Sequence, residues 1–424
     1  MFKKTILKNG LRLVIVPIPS AQSATVLALV GTGSNYETKE LNGISHFLEH
    51  MFFKGTKNRP SALAVAEVLD RVGGQYNAFT SKEVTGFYAK LAPEYLETGL
   101  EWVADILLNS KFEEAEIERE KGVIVEEINM YLDMPQAFVG ELWEEALYGD
   151  QPAGRPVIGS KENVMRISRR DFLDYVKIHY HAKNIIVCVA GKIPDEKELA
   201  TKVEKYFKGL AAGEGSGKAK TSDSQSIPQS KIHFKKTDQT HLCLGVRGYN
   251  LFHPDRLALK ILSAILGGMM SSRIFISLRE RQGLAYYVRT SCEEMLDVGY
   301  LVTQAGVGNE NVEKAVAAIM SEYKKIRDEK IPAEEIKKAK DYLKGVTRLS
   351  LETSDEIGSW IGTQEILRKE ILTPEEVFAK IEATEAEDLA RVAKDVFQPQ
   401  KLNLALIGPF KEKARFEELL KSSL

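Results

Sequence analysis

Cysteine is scarce in this sequence. There are 3 in 424 residues, Cys188, Cys243 and Cys292, odd in number, far apart and without a C-x-x-C pair. That excludes a disulfide framework and a thiolate metal site, leaves each thiol as a core side chain, and suits a reducing compartment. Charge of one sign is lacking as well: 58 Lys and Arg stand against 60 Asp and Glu, a net charge of −2. No basic field exists to hold a phosphate backbone, and no Lys/Arg run marks a nucleic-acid or acidic-lipid patch. Apolar residues make up 44% of the chain, too many for a disordered protein. They never run unbroken over the ~18 positions that a membrane span requires. The start, Met1-Phe2-Lys3-Lys4, is followed by Lys8, Asn9, Gly10 and Arg12, which break up any signal-peptide core, and no Arg/Ser-rich leader takes its place. The expectation is a soluble globular protein of the cytoplasm, with neither nucleic acid nor membrane as a partner.

At ~150 residues per domain the length suggests two or three domains. Residues 211–229, AAGEGSGKAKTSDSQSIPQ, are almost free of large apolar side chains and read as a flexible linker between residues 1–210 and residues 230–424. These two parts look like copies. RVGGQYNAFTSKE from Arg71 and RQGLAYYVRTSCE from Arg281 match at an offset of 281 − 71 = 210, sharing Tyr76/Tyr286, Thr80/Thr290, Ser81/Ser291 and Glu83/Glu293. The buried-strand patterns TVLALVG from Thr25 and HLCLGVRG from His241 correspond, as do NIIVCVAG from Asn184 and LNLALIG from Leu402. Tandem duplication accounts for this. Within each half, strands alternate with amphipathic helices. One helix is predicted over residues 61–72, with Ser61 as N-cap and Gly73-Gly74 as the stop; another covers residues 113–131 and ends before Pro135. The pattern predicts an α+β sandwich in each half, an antiparallel-rich sheet packed by helices.

The sharpest local signal is His46-Phe47-Leu48-Glu49-His50. On a helix, positions i and i+4 share a face one turn apart, so both imidazoles can address one ion. Glu49 is displaced on the same face, which suits a base acting on a metal-bound water. A chance H-x-x-E-H arises in roughly one chain per hundred of this composition, so context decides. Leu48, Met51, Phe52 and Phe53 make this helix strongly apolar, and burying two imidazoles and a carboxylate there without a cation is costly. Zinc held by two His needs a third protein ligand. Seven residues bring a helix back to within about 20° of its starting direction, so Glu120 and Glu127 share one face of the second helix, while Glu126 points away. Glu127 is the expected third ligand, and Glu120 the carboxylate that orients a ligand or holds a proton.

The inverted motif His46 to His50, followed 127 − 50 = 77 positions later by Glu127 within EREKGVIVEEI, resembles the pitrilysin/insulinase family of zinc metallopeptidases, in particular the two-domain bacterial branch related to mitochondrial processing peptidase. H-x-x-E-H is the known signature of inverzincins. The likeness runs through GGQYNAFTSKEVT, GRPVIGSKENV, YHAKNIIVCVAGKI, ILGGMMSSRIF and LRERQGLAYYV and covers essentially the whole chain. It implies one zinc per chain on His46, His50 and Glu127, with Glu49 as general base and Glu120 in support. It also implies that Asn77, Ala78, Phe79 and Thr80 form an edge strand that takes a peptide substrate as an added strand. From the residues alone they are a short strand after Gly73-Gly74.

The second half has no zinc ligands: counted from the strand-ending Gly248, the counterparts of His46, Glu49 and His50 are Ser263, Leu266 and Gly267. The resemblance places on Arg279 and Tyr286 the pair that contacts the scissile peptide, Tyr286 donating to the developing oxyanion and Arg279 holding substrate carbonyl or carboxylate groups. It implies an endopeptidase for short or unfolded peptides. One chain carries both halves of the machinery, so a homodimer enclosing a chamber, opened by the linker as a hinge, is the simplest assembly. The alternative within the family is a non-catalytic or partner-dependent core or processing subunit. Met269, where the family often has glycine, makes a substrate-guiding role for that loop less secure.

Overall fold

The structure, a computed structural model, describes residues 2–213 and 215–421. In chain order the first half gives β1 (Lys3–Ile6), β2 (Arg12–Pro17), β3 (Ala24–Val30), α1 (Ile44–Met51), α2 (Ala62–Asp70), β4 (Gln75–Thr80), β5 (Thr85–Leu91), α3 (Leu96–Asn109), α4 (Glu114–Asp133), α5 (Pro135–Tyr148), α6 (Arg169–His179) and β6 (Ile185–Gly191). The second half gives β7 (Gln229–Phe234), β8 (Gln239–Arg247), α7 (Arg256–Ser263), β9 (Ala285–Glu294), β10 (Gly299–Gly308), α8 (Val312–Asp328), α9 (Ala333–Leu349), α10 (Ser354–Arg368) and β11 (Leu402–Gly408). Ser61 caps α2 as expected, its hydroxyl accepting from the Ala64 N–H at 3.2 Å.

The first sheet has the order β1-β2-β6-β3-β5-β4, and the second β7-β11-β8-β10-β9. In each, one neighbouring pair is parallel, β2 with β6 and β7 with β11, and the others are antiparallel. With β1 set aside, the second order repeats the first strand for strand, as a duplicated α+β domain must. β3, β6 and β11 are buried at every residue. Strands covered on both faces read as unbroken apolar runs, which is why TVLALV and NLALI show no alternation.

What covers the second face differs from the expectation of two contiguous halves. α10 lies beyond the linker in sequence, yet it packs on β3 and β6, where Ile361 and Ile366 join Val14, Val16, Leu27, Leu29, Ile186 and Cys188. Reciprocally α5 lies before the linker and covers β7, β8 and β11, with Val139, Leu142 and Trp143 against Cys243, Ala405 and Ile407. The two compact units are therefore discontinuous. One takes the residues up to Asn129, Pro156–Ala219 and Leu349–Ile371; the other takes Met130–Arg155, Lys220–Arg348 and the residues from Leu372 on. The chain passes between them five times, so residues 211–229 are not a lone hinge. Part of that segment is also anchored: Thr221 N–H donates to Asp297 Oδ2 at 2.8 Å and Ser222 N–H to Gln151 Oε1 at 2.7 Å. Glu214 lies outside the described residues. The physical reason for the exchange is that either half alone leaves one apolar face of its sheet bare.

Polar pins fix the seat of α10. Gly358 and Gly362 face the sheet, and a Cβ on Gly362 would stand 2.9 Å from Leu29 Cδ1, so the helix backbone approaches where a side chain would hold it off. Ser354 Oγ meets Ser23 Oγ at 2.9 Å and Thr25 Oγ1 at 2.8 Å. Glu365, buried, pairs with Arg12 at 3.0 Å and Lys4 at 2.8 Å. In the second unit the stretch Arg256–Arg281 is long and apolar enough to cross a bilayer by length and composition. Leu259, Ile261, Leu262, Leu266, Ile274 and Leu278 are nevertheless buried in that unit's core, which is what a core helix requires. Cys188 and Cys243 are buried and Cys292 is partly buried, all of them free thiols.

Glu365→Ala removes the carboxylate that pairs with Arg12 in a largely buried setting, leaving the guanidinium only the carbonyl of residue 365 at 3.0 Å, and is expected to cost about 3 kcal/mol. Denaturant unfolding measures this; Glu365→Gln, which keeps an acceptor, costs less.

Candidate metal centre

α1 begins on a glycine for a steric reason. Gly43 has φ +103°, and a Cβ there would stand 2.7 Å from Ile158 O. Glycine cannot cap with a side chain, and the start of the helix is satisfied from elsewhere. The buried Glu37 carboxylate accepts from Gly43 N–H and Ser45 N–H, each at 2.8 Å, and from Asn42 Nδ2 at 2.9 Å. A carboxylate at this end also opposes the helix dipole favourably. Burial nevertheless pushes the Glu37 carboxyl above its ordinary range, against those hydrogen bonds. Tyr175 on α6 ties the same turn to β3's exit, its hydroxyl lying 2.8 Å from Ser45 Oγ and 2.9 Å from Thr32 Oγ1. On its apolar side α1 is seated by aromatic edges, Phe47 on Phe172 at 4.9 Å and, just past its end, Phe52 on Phe87 at 4.9 Å.

The other face of α1 carries His46 and His50, with ring centroids 4.8 Å apart. Glu127 on α4 reaches both: its Oε2 lies 3.7 Å from His46 Nε2 and 3.5 Å from His50 Nε2. One ligand atom from each of the three falls within 4.8 Å of the others. Two ligands on ~2.1 Å bonds at a tetrahedral angle stand about 3.4 Å apart, so the three donors surround a point that suits one small ion. Burial, with His50 beside it, pushes His46 down to about 4; it is therefore the neutral imidazole that ligation needs.

Glu120 and Glu49 flank this group differently. Glu120 Oε1 lies 2.9 Å from His50 Nδ1, and its Oε2 lies 2.7 Å from Lys54 Nζ. Burial works to raise Glu120, but the hydrogen bonds from His50 and Lys54 outweigh it and hold the carboxyl below its ordinary range. An anion there fixes His50 with Nδ1 protonated and Nε2 free to ligate. Glu49 is raised, chiefly by burial; the hydroxyl of Thr80, 2.6 Å from its Oε2, works in the opposite direction. Lys54 was not singled out in the sequence; it lies in the bend just past the end of α1, four residues after His50, where helical spacing does not apply. Glu37 left no signal either, because it reaches the helix from a loop.

The turn leaving α1 is held by Asp105 on α3. It accepts from Thr56 Oγ1 at 2.7 Å, Asn58 Nδ2 at 2.6 Å, Asn109 Nδ2 at 2.8 Å and the Arg59 guanidinium. Asn77, Ala78, Phe79 and Thr80 lie on β4, which pairs only with β5 and is the edge of its sheet among the described residues. Asn77 Oδ1 accepts from Ala78 N–H at 2.9 Å, and Phe79 lies across Gly86. Arg279 and Tyr286 belong to the second unit. Tyr286 is 77% exposed on β9, and the Arg279 guanidinium rests on the Phe275 ring at 5.1 Å.

Residues 12–161 match the family described as insulinase (peptidase family M16), and residues 166–343 match the peptidase M16 inactive domain. The chain is 37% identical over 410 residues to the uncharacterized zinc protease YmxG of Bacillus subtilis (strain 168), across 96% of this chain and 98% of that protein. The chain belongs to peptidase family M16. The M16 fold is shared with a protease from Helicobacter pylori, at TM-score 0.89 and 24% identity over 96% of this chain and 99% of that one. It is shared as well with a chain of complex III2 from Candida albicans, solved with Inz-5 bound, at TM-score 0.83 and 19% identity over 99% of each.

Zinc, the metal in the names of the M16 relatives, fits the donors present: two neutral-capable imidazoles, one carboxylate, and a supporting carboxylate on His50. In the M16 domain matched as inactive, α7 carries no histidine, and the described residues contain no second group of this kind.

Glu120→Gln is expected to lower zinc affinity roughly 10- to 100-fold with the fold intact, as chelator competition would show. A second expectation concerns pH. Burial opposes it, but the hydrogen bonds from Thr56, Asn109, Arg59 and Asn58 hold Asp105 below its unfolded value of 3.8. The stability this contributes is fully present above that value and is lost as pH falls through the lower, folded one. Asp105→Asn should therefore be less stable near neutral pH, with a difference from wild type that shrinks below about pH 4 in acid-unfolding curves.

Proposed function

We propose that this M16 protein is a zinc-dependent endopeptidase of short or unfolded peptides. The observation that carries the reading is the convergence of His46, His50 and Glu127 on one point, with Glu49 on the same helix. Zinc bound there supplies a Lewis acid that polarises a peptide carbonyl and makes a water acidic enough to attack near neutral pH. Around it, the residues of this chain divide the work. Glu49 takes the proton from the attacking water and delivers it to the leaving amine. Glu120, with Lys54, keeps His50 in the ligating tautomer. The free edge of β4 pairs with the peptide main chain, which gives affinity with little demand on sequence. Tyr286 and Arg279 contact the peptide around the bond to be cut.

The proposal takes one zinc per chain, a homodimer enclosing the peptide, and a cytoplasmic setting. The contrasting reading, a non-catalytic core subunit, draws on the fold shared with the complex III2 chain. The complete donor set of His46, His50, Glu127 and Glu49 favours catalysis over it.

Digestion of a peptide library by the isolated protein, with and without a chelator, tests the proposal by mass spectrometry. Cleavage that chelator abolishes is expected, and Glu49→Gln should lower it by roughly 10²- to 10⁴-fold while zinc stays bound. Cleavage by Glu49→Gln at the wild-type rate would sink the mechanism, and a zinc-free, inert wild type would favour the core-subunit reading.

A further inference from the structure

The side chain of Thr80 does not point away from the edge strand into solvent. Its hydroxyl lies 2.6 Å from Glu49 Oε2 and 3.5 Å from the Ser45 carbonyl oxygen. A hydroxyl has one proton to give, and the shorter, charge-assisted contact takes it. The strand around Thr80 is fixed. Thr80 stands opposite Thr85, whose buried hydroxyl donates to Thr32 O at 3.0 Å, and Ser81 N–H closes the hairpin on Val84 O at 2.9 Å. Farther along β4, the Tyr76 ring leans on Trp102 with centroids 5.3 Å apart, tying the strand to α3. Glu49, by contrast, hangs on three rotatable bonds at a half-buried helix face.

We propose that Thr80 is a positioning residue for Glu49: by engaging one carboxylate oxygen from a rigid strand, it leaves the other aimed at the water to be deprotonated. This rests on the metallopeptidase reading and deepens it. The strand proposed to receive the peptide is the strand that holds the base, so the register of the bound chain and the aim of Glu49 share one reference. A general base must lie within hydrogen-bond reach of its proton, and an error of about 1 Å in such a group costs on the order of 100-fold in rate.

The test compares wild type, Thr80→Val, which keeps the shape and removes the hydroxyl, and Thr80→Ser, which restores a hydroxyl. On the zinc-loaded full chain with a cleaved peptide, Thr80→Val is expected to lower kcat roughly 10- to 100-fold with KM and zinc affinity unchanged, and Thr80→Ser to recover most of the loss. With cobalt(II) in place of zinc, the visible spectrum of Thr80→Val should move toward that of Glu49→Gln, while Thr80→Ser stays with wild type. A Thr80→Val protein with wild-type kcat and a wild-type cobalt spectrum overturns the assignment, as does a Thr80→Ser protein as impaired as Thr80→Val. If wild type cleaves no peptide at all, the metallopeptidase reading fails, and the cobalt comparison still decides the role of Thr80.

Discussion

Two imidazoles and a carboxylate that meet at one point, half removed from water, set the terms for everything around them. Lone pairs aimed at each other in a medium of low polarity repel, and a cation is what turns that repulsion into binding. The neighbours relieve the remaining charges one at a time. Glu120 has Lys54 and His50; Glu49 has the hydroxyl of Thr80. Each carboxylate around the point where the three donors meet therefore either faces the histidines or already has a partner, and Thr80 engages one oxygen of Glu49.

Precision in such a site comes from how α1 is anchored. Aromatic contacts supply the burial energy but tolerate sliding, whereas polar contacts specify register. Both are present, on different sides of the helix. Phe47 and Phe52 bury it, while Glu37 at its start and Asp105 just past its end hold it against rotation and shift. The sheet beneath is closed on its other face by α10, whose seat is likewise defined by polar pins, Ser354 and Glu365.

Much of this was legible because it obeys local periodicity. The i, i+4 spacing of His46 and His50 and the seven-residue return from Glu120 to Glu127 are properties of a helix, and the donors that they nominate do converge. The duplication was legible in the 210-residue offset and returned as the repeated strand order. What escaped depends on tertiary placement. α10 follows the linker in sequence, and nothing in its own pattern says which sheet it will cover; its contacts run through two glycines, a serine and a buried glutamate as well as Ile361 and Ile366. Glu37 breaks the usual rule for helix starts by capping from a loop, because Gly43 has no side chain to do so. The composition of residues 211–229 signalled a linker, yet composition carries no count of how often the chain returns.

Duplication also explains the division of chemistry. The second domain keeps the strand order and the exposed Tyr286 but has no histidine on α7, so it is free of the electrostatic demands that shape the first. The central claim is that His46, His50 and Glu127 hold zinc. Anomalous X-ray diffraction at the zinc edge, on crystals of the full chain grown with zinc, tests it most directly. The account predicts one strong peak per chain, about 2.0–2.2 Å from His46 Nε2, His50 Nε2 and a Glu127 oxygen. A chain with no peak there, or with its zinc on other residues, would contradict it.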